Sequence, residues 1–235
     1  MTFYEYIILF IMAFLPPIIY TVWIRNTEKY NREKWTSIFY CFIWGATISV
    51  IAAIVLEYIF DLSVIPSLEK RYPIGFITIV LIAPFIEEFT KPLALRSRFV
   101  KKEIDELEDG LIYGAVAGLG FSATENLLYG WTFLNEGIIY FLILISIRSV
   151  GGCLLHASAT AWTGYGYGKN IIKGTSIIRV LPYFIIAFLI HAFYNGILVF
   201  NFIGIATGLF AAIIFTLITI KLVRSKIRKL DMINK

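Results

Sequence analysis

The chain has 235 residues, of which 59% are hydrophobic and 16% are charged, and its mean hydropathy is +0.79. Ordinary soluble domains carry about 25% charged residues, so this composition excludes a soluble domain and indicates an integral membrane protein. The net charge of +5 comes from lysines and arginines that flank apolar segments, where they favour contact with the lipid bilayer, and it predicts no nucleic-acid partner.

Apolar windows of roughly 20 residues, the length that a helix needs to cross a bilayer, recur along the chain. They predict seven membrane spans, and no segment outside them is long enough for a second domain. We therefore expect an all-α polytopic bundle that forms one membrane-embedded domain over residues 1–235, with these spans: Phe3 to Ile24, Ser37 to Leu56, Ile74 to Leu95, Leu111 to Leu134, Ile138 to Trp162, Val180 to Phe200 and Ile203 to Leu222.

The basic residues predict the orientation of this bundle. The first, third and fifth loops and the C-terminal tail hold 17 lysines and arginines, whereas the alternate loops hold only Lys70 and Arg71. Because basic loops stay on the cytoplasmic side, we expect the N-terminus outside the cell and the C-terminus in the cytoplasm of a multi-pass protein of the cell membrane.

Two adjacent glutamates, Glu87 and Glu88, lie in the third predicted span. A charged side chain at the centre of a bilayer costs at least ~2.5 kcal/mol, so such residues persist mainly where they face a polar cavity. Pro84 and Pro92 bracket the pair, and each proline leaves the carbonyl four residues earlier without its helical partner. Lys91 follows Glu87 by four residues and shares its helix face. The segment predicts a buried aqueous site.

Further polar residues lie in the next three predicted spans. The fourth has Phe121, Glu125 and Asn126, the fifth has His156, and the sixth has His191 and Asn195. A stripe in the fourth span allows a neighbouring helix to approach Glu125 and Asn126 closely; it consists of Gly114, Gly118, Ser122 and Asn126. At 1.5 Å rise per residue, Glu125 comes out about 10 Å away in depth from Glu88 and His156. The other groups agree in depth.

Each of these residues also has a structural interpretation. A lone intramembrane histidine is often a hydrogen-bond partner between helices, and Arg148 is most simply a buried counter-ion for one of the glutamates. We interpret residues 164–168, Gly-Tyr-Gly-Tyr-Gly, as a turn at the membrane surface. Three glutamates and two histidines together in one bundle nevertheless indicate function.

The order of these motifs resembles the PrsW family of intramembrane proteases. The matching motifs are Glu-Glu-x-x-Lys at 87–91, Asp-Gly-x-x-Tyr-Gly at 109–114 leading to Phe-x-x-x-Glu-Asn at 121–126, His156, and His-x-x-x-Asn at 191–195. Related CAAX prenyl endopeptidases have histidine in place of Glu125, which argues against that branch. The resemblance implies cleavage of a membrane-anchored protein, such as the anti-sigma factor that the family's founding activity cleaves.

Peptide hydrolysis needs an activated water, a donor to the oxyanion and an acid for the leaving amine. We expect Glu87 or Glu88 to take the proton from water and His191 and Asn195 to donate to the oxyanion. Glu125 and His156 would orient the water, and the remaining candidates, Lys91, Phe121 and Asn126, would orient or bind substrate.

Two alternatives stay open. Zn²⁺ could be held by Glu87 or Glu88 with Glu125, His156 and His191, but the predicted depth of Glu125 leads us to favour activated water without an obligatory metal. The same cluster could also be a proton relay in a small transporter, or a binding site without catalysis. The oligomeric state is not predicted.

Overall fold

The computed structural model describes residues 3–63, 74–200 and 204–233, and every regular element in these ranges is helical. Lys70 and Arg71, on which the predicted orientation depends, lie outside these ranges. The predicted all-α bundle is confirmed, with these helices: α1 (Phe3–Arg25), α2 (Trp35–Trp44), α3 (Val50–Ser63), α4 (Ile74–Ile77), α5 (Ala83–Thr90), α6 (Arg98–Lys101), α7 (Leu107–Glu136), α8 (Ile138–Lys173), α9 (Leu181–Val199) and α10 (Ile205–Asp231).

Five helical segments in the described ranges are long and apolar enough to cross a membrane: Phe3–Arg25, Trp35–Phe60, Ile138–Lys173, Ile177–Val199 and Ile205–Asp231. They make the protein multi-pass, whereas seven spans and the orientation stay predictions. The third and fourth predicted spans are not among these five segments, because they are not long and apolar enough. The third is broken into short helices and carries charges, and the fourth, α7, is buried at every position from 108 to 123. A helix surrounded by protein needs no lipid-facing apolar surface.

Small residues bring α7 and α8 together over most of their length. A Cβ atom added to Gly118 would overlap the carbonyl of His156, and one added to Gly164 would overlap the carbonyl of Gly110. The two backbones are therefore in direct contact, as the small-residue stripe predicts. The turn that we expected at residues 164–168 is wrong, because these residues lie inside α8, where Gly164 and Gly168 serve this packing.

The third predicted span changes helix type twice. A π-helical turn, Thr78–Ile82, precedes α5, and a 3₁₀ helix, Lys91–Arg96, follows it. Pro84 and Pro92 lie just after the start of α5 and of the 3₁₀ helix respectively, where their missing N–H groups interrupt the α-helical pattern. The interruptions place the Glu87 and Glu88 segment in a short helix between two irregular ones.

Candidate active site

A buried lysine joins the two adjacent glutamates. Lys91 Nζ donates hydrogen bonds to Glu87 Oε2 at 2.8 Å and to Glu88 Oε1 at 2.9 Å. Lys91 and Glu88 are 0% exposed, whereas Glu87 is 8% exposed. One ammonium thus balances two carboxylates that have been removed from water, which is the condition under which buried charges are tolerated.

His156 connects this group to Glu125. Lys91 Nζ lies 2.8 Å from His156 Nδ1, and His156 Nε2 lies 2.7 Å from Glu125 Oε2. An ammonium can only donate, so Nδ1 accepts and Nε2–H donates to the carboxylate. The predicted 10 Å separation of Glu125 from His156 is therefore wrong.

The error lay in the end of the fifth predicted span. Helix α8 continues to Lys173, eleven residues past the expected end at Trp162. His156 is seventeen residues before that end, and Glu125 is eighteen residues after the start of α7 at Leu107. Because the two helices are antiparallel neighbours, these nearly equal distances bring the two residues to about the same level.

Arg148 contacts the same oxygen of Glu125 that His156 contacts. Its Nη2 lies 2.9 Å from Glu125 Oε2, and its Nε donates to Asn126 Oδ1 at 2.8 Å. The structure confirms that Arg148 is a counter-ion for one of the glutamates, and its side chain is partly buried, at 17% exposed. Asn126 also donates to Cys153 Sγ at 3.4 Å, so in this structure it holds Arg148 and α8 in place.

His191 and Thr160 complete the surroundings of Glu88. His191 Nδ1 lies 3.0 Å from Glu88 Oε1, and the Thr160 hydroxyl donates to Glu88 Oε2 at 2.8 Å. Sequence reasoning missed Thr160. The signal was present, since Thr160 follows His156 by four residues and shares its helix face.

Asn195 uses the backbone that Pro84 frees. Its Nδ2 donates to the Ile79 carbonyl at 2.8 Å. In the π-helical turn an acceptor pairs with the N–H five residues later, and for Ile79 that residue is Pro84, which has none. The sequence predicted a free carbonyl one residue later, at Val80, because it assumed an α-helix.

A cavity of about 700 Å³ opens beside these groups. Its walls are mainly apolar, and its polar lining includes five of the predicted site residues: Glu87, Glu125, His156, His191 and Asn195. Phe121 also lines it, with Lys91 Nζ 4.3 Å from the ring centroid. Of the two adjacent glutamates, Glu87 lies on the cavity and Glu88 is enclosed behind it.

One atom from each of Glu87, His156 and His191 lies within 4.8 Å of the others. Two histidines and one glutamate are a ligand set that catalytic zinc uses, so the donors fit this metal. The Lys91 ammonium contacts Glu87 Oε2 and His156 Nδ1 and competes with a dication for those two atoms. Zinc binding therefore requires Lys91 to release them.

Comparisons with known proteins agree with the motif order. The sequence model of the PrsW family, described as intramembrane metalloproteases, matches residues 33–222. Protease PrsW of Clostridioides difficile is 28% identical over 224 residues, which cover 95% of this chain and 90% of the relative. Protease PrsW of Oceanobacillus iheyensis is 29% identical over 177 residues, which cover 73% of this chain and 74% of the relative. No solved structure matches significantly.

Proposed function

This chain belongs to the PrsW family of intramembrane proteases, and from that membership we propose that it hydrolyses a peptide bond of a membrane-anchored protein with water activated by Glu87. The observation that carries the proposal is the position of Glu87. Among the described residues it is the acid that both bonds Lys91 directly and borders the cavity. A base must reach the water whose proton it takes, and Glu88, fully enclosed, cannot.

The neighbouring groups receive the following roles. Glu87 Oε2 lies 3.8 Å from His156 Nδ1 and 4.0 Å from His191 Nδ1, so a water bound at Glu87 is also within reach of the imidazoles. Glu125 holds His156 in one tautomer. Both ring nitrogens of His156 are already bonded, so the pair orients the water indirectly, through Lys91 and Glu87. Asn195 binds the carbonyl oxygen of the scissile bond. His191 gives its Nδ1–H to Glu88, so it joins Asn195 in this role only as an imidazolium, which has a second N–H at Nε2. Asn195 retains one amide hydrogen for this purpose beside the one that it gives to Ile79.

Glu88 and Lys91 act as positioning residues. Glu88 accepts hydrogen bonds from Lys91, Thr160 and His191, which come from three separate helical segments. Lys91 in turn sets the side chain of Glu87. The base is thus held by packing and hydrogen bonds before substrate arrives, which is what preorganised catalysis needs.

A metal is not obligatory in this proposal. If zinc binds, Glu87, His156 and His191 would hold it, and it would supply a polarised water and a Lewis acid. The support for a metal-free reaction is the Lys91 ammonium at two of these three donors. Purified enzyme should then retain most of its activity after treatment with phenanthroline, and activity that disappears and returns with added Zn²⁺ would overturn this choice.

The substrate is a membrane-anchored protein whose chain enters the cavity in extended form. Apolar side chains such as Val50, Ile54 and Leu198 line it, which suits residues from a membrane span or its edge.

The test is co-expression of the wild type, Glu87→Gln and Glu136→Gln with a panel of doubly tagged single-span proteins. Glu136 is exposed at the far end of α7. We expect cleavage by the wild type and Glu136→Gln only, and equal cleavage by Glu87→Gln would refute the proposal.

The orientation belongs to the same proposal. The 17 basic residues on one set of loops and the tail support a cytoplasmic C-terminus and an external N-terminus. Alkaline phosphatase, which is active only outside the cytoplasm, should be silent when it is fused after Lys235. An active fusion would reverse the orientation.

A further inference from the structure

A second group of acidic side chains lies where the loop of residues 26–34 meets the start of α7. It is separate from the membrane cluster, the name used below for the set Glu87, Glu88, Lys91, Glu125, His156 and His191. Glu28 of this loop, Glu106 and Asp109 each offer one oxygen, and the three oxygens lie within 4.8 Å of one another. Oxygens bound to one cation at 2.0–2.6 Å can be up to about 5 Å apart. The spacing therefore fits three ligands around a single ion.

Glu28 is the unusual member of the group. It is 0% exposed, and among the described residues neither of its carboxylate oxygens has a hydrogen bond of normal geometry; the backbone N–H of Glu33 interacts with the carboxylate outside that geometry. A buried carboxylate without a partner is strongly unfavourable, and native structures almost always supply a partner or an ion. The side chain is thus oriented towards two other acids and lacks the positive group that would justify its position.

The protein itself does not supply that positive group. In the described ranges no lysine or arginine nitrogen lies within 4.0 Å of the carboxylates of Glu28, Glu106 or Asp109, although other acids have such partners. Glu33, a neighbouring acid, accepts a hydrogen bond from the Tyr113 hydroxyl, which neutralises no charge.

The three ligands are held in place before any ion binds. Glu106 and Asp109 form a reciprocal capping box at the start of α7, in which Asp109 Oδ2 accepts from the Glu106 amide at 2.7 Å. Asp231, at the end of α10, accepts from the amides of Lys29 and Tyr30 at 3.1 and 3.2 Å and so fixes the loop next to Glu28. Glu106 is partly exposed, which leaves a way in for an ion and for its water ligands.

We propose that Glu28, Glu106 and Asp109 bind a hard divalent cation, Mg²⁺ or Ca²⁺, which fastens the loop between α1 and α2 to the start of α7. The all-oxygen ligand set favours these ions over zinc. The site is separate from the proposed catalysis, and its function is to join α1, α7 and α10 on the side of the bundle where their connecting segments meet.

The test measures the thermal midpoint Tm of the detergent-purified, EDTA-stripped protein while MgCl₂ or CaCl₂ is added at constant ionic strength. For the wild type we expect a saturable rise of roughly 5 °C when the cation reaches a hundred times its Kd. Glu28→Gln should abolish the rise. Glu106→Gln, which keeps a capping oxygen, should raise the cation concentration needed for half of the Tm rise by roughly tenfold or more. This variant tests the site if Glu28→Gln does not fold.

Two controls separate this site from other acids. Glu136→Gln removes an exposed carboxylate, and His191→Ala removes a donor of the membrane cluster; both should keep the full rise. The proposal is overturned if the wild type shows no saturable rise, if Glu28→Gln or Glu106→Gln responds like the wild type, or if His191→Ala loses the response. None of these readouts depends on proteolysis.

Discussion

The two groups of buried acids differ in what balances their charge. Glu88 and Glu28 are both 0% exposed, yet Glu88 is bonded to Lys91, Thr160 and His191, whereas Glu28 has no such partner. Burial alone therefore does not tell what an acid does. The groups that contact each acid do tell. The membrane cluster contains its own cations and is arranged for chemistry, whereas the loop cluster of Glu28, Glu106 and Asp109 requires a cation from outside.

The largest effect should come from removing the shared cation of the membrane cluster. Lys91→Met leaves Glu87 and Glu88 without their ammonium, and breaking a buried ion pair by removing one partner costs about 3–5 kcal/mol. We expect that loss in the free energy of unfolding, measured in detergent, together with loss of cleavage. Lys102→Met is the matched control, because the Lys102 side chain is 63% exposed and its removal should change stability by less than about 0.5 kcal/mol. Equal stability of both variants would show that Lys91 is not needed to balance the acids.

A smaller loss should follow from Glu88→Gln. The amide keeps the shape but cannot accept from both Thr160 and Lys91 as a carboxylate does, and hydrogen bonds to charged groups contribute about 1.5–3 kcal/mol. We expect the free energy of unfolding to fall by that amount, whereas Glu136→Gln leaves it unchanged. If Glu88→Gln unfolds at the same midpoint concentration of denaturant as the wild type, the assigned role of Glu88 is contradicted.

The same chemical change should have the opposite sign in the loop cluster. Burial raises the pKa of Glu28 to about 8, so folding at neutral pH must either protonate this carboxyl or bury its charge. Glu28→Gln removes that cost, so in the absence of divalent cations it should stabilise the protein by about 1 kcal/mol. Chemical denaturation of the EDTA-treated variant and of the wild type measures this difference. If Glu28→Gln and Glu88→Gln both destabilise the cation-free protein, the contrast between the two clusters is wrong.

Much of the membrane site could be predicted from the sequence because charged and amide residues stand out in apolar segments. Glu87, Lys91, His156 and His191 lie together as expected, and Arg148 is the counter-ion that it was predicted to be. Helix ends were harder to predict. The glycines at 164–168 looked like a turn, although they extend α8 and let α7 approach.

Other features depend on three-dimensional contacts that no local pattern contains. Ile79 becomes an acceptor because a π-helical turn shifts the free carbonyl by one residue. The loop cluster of Glu28, Glu106 and Asp109 escaped notice because Glu28 and Glu106 resemble ordinary loop charges in the sequence, and Asp109 entered only as part of a family motif. Only the packing of the loop against α7 and α10 shows that Glu28 is fully buried.

The most direct test of the account compares Glu87→Gln with the wild type in proteoliposomes that contain a single-span substrate which the wild type cleaves. Loss of a general base lowers turnover by roughly 10²–10⁴, so we predict a kcat at least about a hundredfold lower, with a thermal midpoint close to that of the wild type because Glu87 lies at the cavity. A variant that keeps more than a tenth of the wild-type kcat would contradict the assignment of Glu87 as the base.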